Sequence, residues 1–207
     1  MNQKNSLGLD SCFMDLDDPL ELFKIWMSEA EKKEINDPNA LSLATTSSTN
    51  EPSVRMILLK DLNQKGFVFY TNLDSPKSYD MKKNQKAAMC FHWKSLQRQI
   101  RILGNVIQVS EKEADDYFNS RPYESRIGAW ASDQSRVMKE RVELLKKIEE
   151  FKKKYKDKKN LPRPKYWSGW CLNPSSIEFW LGDEYRIHER LRYKKVSNTW
   201  KKEILYP

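Results

Sequence analysis

The sequence predicts a mainly β domain of the α+β class, its strands closed as a small barrel and its helices at the rim. Period-two stretches outnumber helical ones and are too many for an open sheet in a chain of 207 residues. A composition that is 39% hydrophobic and 12% aromatic can fill one core, and the length is too short for two full domains.

Residues 1–17 are polar and aperiodic and are expected to form a flexible segment ahead of a single domain over 18–207. Asp18-Pro19 supplies a capping acceptor and a proline at the first helical position, so a helix starts there. Leu20, Phe23, Trp26, Met27 and Ala30 form its apolar face, and Asn36-Asp37-Pro38 stops it. Alternation then marks strands at 40–46, 54–59 and 67–72, joined by turn-rich stretches, which reads as an antiparallel meander. A short helix at 78–84 precedes a strand at 87–93. Residues 98–109 form a long strand interrupted by Gly104, which suggests a bulge or bend. Ser110 and Glu113 have capping-box spacing for a helix through Phe118. A second helix follows Ser135, with the stripe Leu144, Ile148, Phe151 and Tyr155. Beyond Pro162 and Pro164, strands resume at 169–172, 177–181, 185–193 and 200–205.

Several function classes are excluded early. The six glycines are scattered, so there is no dinucleotide fingerprint and no P-loop, and any bound phosphate must be held mostly by side chains. His92 and His188 are the only histidines and neither has ligand spacing, so no metal site is expected. The mean hydropathy of −0.82 and the lack of a long apolar run argue against a membrane partner. Cys12, Cys90 and Cys171 show no paired spacing and, without a secretion signal, read as reduced thiols of a cytoplasmic protein. The net charge is +8, but residues 139–165 alone carry +7, so the basic balance belongs to one segment. A solvated helix face explains that segment better than nucleic acid does, since no RNA-binding signature accompanies it.

Two stretches point to anion binding. Arg186, His188 and Arg190 alternate in a predicted strand and so share one face, where they repel unless an anion sits among them. An exposed edge strand is the plainer reading; nearby Trp180 and Tyr185 favour the anion site. Arg55 lies among apolar residues in a strand expected to be largely buried, and a buried guanidinium needs a carboxylate or a phosphate. Lys77, Gln99, Arg121, Gln134 and Ser135 are further donors next to turns or element ends.

Arg55-Met56-Ile57-Leu58-Leu59-Lys60 followed by Gly66-Phe67-Val68-Phe69-Tyr70-Thr71-Asn72 resembles the opening strands of the pyridoxamine 5′-phosphate oxidase family. So do Arg98-Gln99, Tyr117 to Pro122, Ile127-Gly128-Ala129-Trp130 with Gln134-Ser135, and Ile177-Glu178-Phe179-Trp180 running into Arg186-Ile187-His188-Glu189-Arg190. The resemblance implies a split β-barrel that binds flavin mononucleotide (FMN) at the interface of a homodimer. It also implies oxidation of pyridoxamine or pyridoxine 5′-phosphate to pyridoxal 5′-phosphate by dioxygen. Carried over position by position, it assigns FMN contacts to Arg55, Met56, Ile57, Leu58, Leu59 and Lys60. Tyr70, Thr71, Lys77, Gln99, Gln134, Ser135, Trp180 and Arg190 complete that set. Lys60, Tyr117, Arg121, Ser125, Arg186 and His188 would contact substrate, the last two as catalytic residues. Where the family has Ser-Arg-Lys, this chain has Ser75-Pro76-Lys77, so one phosphate-binding arginine is missing. The family's basic, tyrosine-containing leader is likewise absent from residues 1–17. The competing readings are a split-barrel protein that binds FMN or pyridoxal phosphate without turnover, and a basic RNA-associated protein. Arg186 and His188 favour the enzyme.

Overall fold

The computed structural model describes residues 4–156 and 161–207; part of the basic segment, 157–160, and the first three residues lie outside them. The described residues form nine strands and five α-helices, in a mostly β sheet that curls into a half-barrel. None of those helices is long and apolar enough to cross a membrane.

The first helix, α1 (Pro19–Lys33), starts as its sequence dictates: Asp18 Oδ1 accepts from Leu20 N at 2.9 Å and proline takes the first turn. Its buried face carries Leu22, Phe23, Trp26 and Ala30, with Leu20 and Met27 only partly buried beside them. Phe23 meets Phe67 and Phe91 edge-on at 4.9 and 5.3 Å, and Trp26 meets Phe179 at 5.1 Å, so α1 packs against rings from three strands.

The sheet is antiparallel throughout. β1 (Ala40–Thr46) pairs with β2 (Pro52–Leu58), and β3 (Asp61–Asn63) with β4 (Gly66–Asn72). α2 (Pro76–Lys83) follows, then β5 (Lys86–Trp93) and β6 (Arg98–Gln108). The order β2-β1-β5-β6-β7-β4-β3 places β2 and β3 at opposite ends of the sheet, yet only Leu59 and Lys60 separate them in the chain. A two-residue link between the two ends forces the sheet to curl until they meet. The expected meander is therefore corrected, because β2 pairs with β1 alone and β4 goes to β7.

The stretches expected at 169–172 and 177–181 are one strand, β7 (Trp167–Leu181), and this strand splits the barrel. Its first part pairs with β4, its last part with β8 (Glu189–Val196), and β6 runs along nearly all of its other side. The register slips between Leu103 and Gly104, as the sequence suggested. A Cβ on Gly104 would stand 2.1 Å from the carbonyl oxygen of Asn173, so only glycine fits. β9 (Thr199–Leu205) closes the C-terminal hairpin with β8.

Three helices flank the split. α3 (Glu111–Ser120) is capped by Ser110 Oγ, which accepts from Glu113 N. α4 (Tyr123–Ala131) has no counterpart in the sequence reading, being short and interrupted by Gly128. α5 (Arg141–Lys154) sets its aromatic stripe against α4, with Trp130 and Phe151 5.5 Å apart.

Two further expectations change. β2 is an edge strand whose Val54, Met56 and Leu58 are 69%, 64% and 38% exposed, so it is not the buried strand that its composition implied. Residues 4–17, expected to be flexible, pack on the domain. Phe13 is fully buried, Trp26 Nε1 donates to the Cys12 carbonyl at 2.7 Å, and the Tyr193 hydroxyl donates to the Leu16 carbonyl at 2.8 Å.

Candidate active site

A cleft of about 340 Å³ opens where β4, the start of β7 and helices α3 and α4 converge. Tyr70, Thr71 and Asn72 enter it from β4, Trp167 from β7, Tyr117 from α3, Ser125, Gly128 and Ala129 from α4, and Lys60 from the two-residue link. The cleft wall is a run of parallel rings: Tyr70 lies 3.9 Å from Tyr117 and 5.4 Å from Trp167, with interplanar angles of 12° and 9°. Arg121, just past the end of α3, places its guanidinium 4.7 Å over Trp167. Its Nη1 is buried without a hydrogen-bond partner among the described residues, and burial lowers its pKa. Burial also holds the Tyr70 and Tyr117 hydroxyls above the usual range, so both stay protonated donors.

A cationic cluster adjoins the cleft behind Thr71 and Gln134, which line it. Lys77 is only 8% exposed, and its Nζ donates to Gln134 Oε1 at 3.0 Å, Ser75 Oγ at 3.2 Å and Thr71 Oγ1 at 3.3 Å. All three acceptors are neutral. Burial first, and the Arg55 charge second, pull its pKa down to about 8. Arg55 Nη1 donates to Thr45 Oγ1 at 2.8 Å and to the Leu43 carbonyl at 3.2 Å, and Nη2 donates to Ser53 Oγ at 2.5 Å. Both cations are thus hydrogen-bonded to neutral acceptors alone, which leaves their charge able to attract an anion. Pro76 is exposed at the first position of α2 and contributes no donor there.

The other sequence-derived candidates gather elsewhere. Trp180 and His188 line a second cavity, of about 280 Å³, at the far end of β7. Their rings are 4.6 Å apart, and His188 Nδ1 accepts from Asp183 N at 3.1 Å. Gln99 and Arg190 flank Trp180 on the neighbouring strands. At roughly 3.3 Å per residue, about 40 Å of strand separates Trp167 from Trp180 within β7. One chain thus carries two groups of candidate residues that do not meet.

The shared face of Arg186, His188 and Arg190 is not formed. Residues 183–188 make a turn, in which Arg186 N donates to the Asp183 carbonyl and Tyr185 N to Asp183 Oδ1. Arg186 sits at φ 62° and is exposed, and the strand starts only at Glu189. Arg190 Nε and Nη2 donate to Glu178 Oε1 at 2.9 and 2.8 Å, and its Nη1 donates to the Tyr206 carbonyl. In the 55–60 stretch, Met56 and Leu58 point to the outer face, Ile57 and Leu59 pack on the core, and Lys60 reaches the cleft. Ser135, at φ 69°, faces a different cavity beside α5. Trp167, Asn72 and Ser132 line the cleft without having been singled out from sequence. The small residue Gly169 opposite Tyr70 is the one local sign of close ring packing there.

The sequence profile of pyridoxamine 5′-phosphate oxidase matches residues 27–155, and that of the pyridoxine 5′-phosphate oxidase C-terminal dimerisation region matches 167–207. The chain is 62% identical over 208 residues to the pyridoxine/pyridoxamine 5′-phosphate oxidase of Pelagibacter ubique strain HTCC1062, covering 100% of both chains. It is 50% identical to that of Bartonella henselae, covering 98% of this chain and 99% of the other. Its fold is similar to PhzG from Burkholderia lata 383, solved in complex with tetrahydrophenazine-1-carboxylic acid. The TM-score is 0.89 at 29% identity, over 95% of this chain and 96% of that one.

Proposed function

This chain belongs to the pyridoxamine 5′-phosphate oxidase family, and from that premise we propose that it oxidises pyridoxamine and pyridoxine 5′-phosphate to pyridoxal 5′-phosphate with FMN as cofactor. The observation that carries this reading is the cleft itself, with parallel aromatic rings for a flat ligand and unneutralised cations for anionic groups. The residues present fit FMN. Lys77 and Arg55 repel each other in the protein alone, and a phosphate between them removes that penalty. They would hold the cofactor phosphate together with Thr71 and Gln134. When bound, FMN would supply the two-electron acceptor for this oxidation, with dioxygen as the final acceptor.

Lys60, Arg121 and Ser125 bind the substrate phosphate, and Arg121 Nη1, buried without a partner among the described residues, is the donor offered to it. Tyr117 lies along the substrate ring. The chain has the family's dimerisation region and works as a homodimer. Its C-terminal part brings the Trp180–His188 end of a second copy to the cleft of the first, so FMN lies at the interface and Arg186 and His188 meet the substrate there. Residues 18–207 act as one domain, in the cytoplasm, where Cys12, Cys90 and Cys171 remain thiols.

The test is to reconstitute the purified protein with FMN and add pyridoxamine 5′-phosphate anaerobically. Loss of the yellow flavin absorbance with one equivalent of aldehyde and of ammonia is the expected result. A flavin that binds but stays oxidised would make the protein a carrier and overturn the oxidase reading.

A further inference from the structure

Thr45, the penultimate residue of β1, is 2% exposed and sits between a cation and a carboxylate. Its hydroxyl donates to Asp80 Oδ2 at 2.7 Å and accepts from Arg55 Nη1 at 2.8 Å. A hydroxyl has one hydrogen, so giving it to Asp80 turns the oxygen lone pairs towards Arg55. Asp80 lies on α2, one helical turn beyond Lys77, so the helix that carries the buried lysine also carries this carboxylate.

The arrangement differs from an ion pair in a useful way. A carboxylate placed directly on Arg55 would occupy its fork and cancel its charge. Here the guanidinium is fixed by three neutral acceptors, Thr45 Oγ1, the Leu43 carbonyl and Ser53 Oγ. Its Nε–H and one Nη2–H have no protein acceptor among the described residues and remain for a ligand.

We propose that Asp80 is a positioning residue for Arg55, acting through the Thr45 hydroxyl to keep the guanidinium aimed at the anionic group of the cofactor. The proposal rests on the reading of Arg55 as a contact to the FMN phosphate. It assigns a function to two residues outside the motif that contains Arg55.

The test titrates the flavin-free, full-length protein with FMN and with riboflavin, which lacks the phosphate, following flavin fluorescence at fixed salt. Thr45→Val and Asp80→Ala are each expected to weaken FMN about tenfold and leave riboflavin unchanged, and the double variant to lose no more than either. Asp80→Asn, whose amide oxygen still accepts from Thr45, is expected to stay within about threefold of the parent. A merely structural link between β1 and α2 would weaken both flavins equally, and that result overturns the proposal. So does an unchanged FMN-to-riboflavin ratio in Thr45→Val and Asp80→Ala when Arg55→Ala lowers it. If Arg55→Ala leaves the ratio unchanged, the phosphate reading of Arg55 fails, and the role of Asp80 falls with it.

Discussion

Gly169 and Tyr70 face each other across the β4–β7 ladder, and the side chain that Gly169 lacks is the space that the Tyr70 ring occupies. A Cβ on Gly169 would stand 2.8 Å from both Cδ1 and Cε1 of that ring. The ring has little freedom to retreat, because Tyr117 is stacked on it at 3.9 Å and the parallel ring of Trp167 lies beside it at 5.4 Å.

Gly169→Ala is therefore expected to destabilise the fold by about 1–3 kcal/mol through overpacking and to disorder the aromatic wall. Thermal unfolding measures the first effect and flavin affinity the second. A variant with the parent's Tm and affinity would show that the ring wall yields freely.

The family resemblance implies an arginine at position 76, where this chain has an exposed proline at the first turn of α2; the proposed reading then leaves the cofactor phosphate to Lys77 and Arg55. Pro76→Arg is expected to tighten FMN binding by up to about tenfold, one charged hydrogen bond restored at the low end of its range. Dissociation measured against the parent at fixed salt decides this. Unchanged or weaker binding would mean that position 76 faces away from the phosphate.

FMN affinity is expected to depend on pH through Lys77. Its pKa in the folded protein without cofactor lies near 8, below the ordinary 10.5. Between those values the unfolded chain binds the extra proton, so this group makes the cofactor-free protein more stable as pH rises. The phosphate dianion favours the ammonium form, so cofactor binding responds in the opposite sense. The Kd for FMN should rise between about pH 7 and pH 9, with a slope approaching tenfold per pH unit above pH 8. Lys77→Arg should flatten this dependence, and a flat profile in the parent would show that Lys77 does not meet the phosphate.

Much of the barrel was legible in the sequence, because alternation and capping are local. Asp18-Pro19, Ser110 with Glu113, and the bulge at Gly104 all stand where they were expected. The errors came from information that is not local. The pairing of β4 with β7 depends on residues about a hundred positions apart, and the exposure of β2 depends on its place at the sheet edge. The alternation of Arg186, Ile187 and His188 predicts a strand from residue 185, whereas Asp183 bonds to the backbone of the residues after it and bends the chain through 188. Cleft residues such as Trp167 have no periodic signature, since their role arises only when β4 and β7 meet.

Arg186 lies in that exposed turn, so replacing it removes no core contact. Arg186→Ala and His188→Ala are expected to keep FMN and the dimer while kcat/KM falls about ten- to a hundredfold, the loss of one charged contact to substrate. Steady-state kinetics beside flavin content and sedimentation separate the effects. Loss of flavin or of folding without a separate kinetic defect would remove both residues from the substrate site.

Subunit complementation tests whether the two candidate groups at the ends of β7 form one site across the dimer. Arg121→Ala disables the cleft end and His188→Ala the other. Mixed under conditions that exchange subunits, half of the dimers become hybrids, each with one site built from two unaltered ends. The expected result is recovery of about one quarter of the parent's activity from two variants that each retain about a tenth of it or less. If exchange is demonstrated and the mixture stays at the level of the separate variants, the site does not cross the interface.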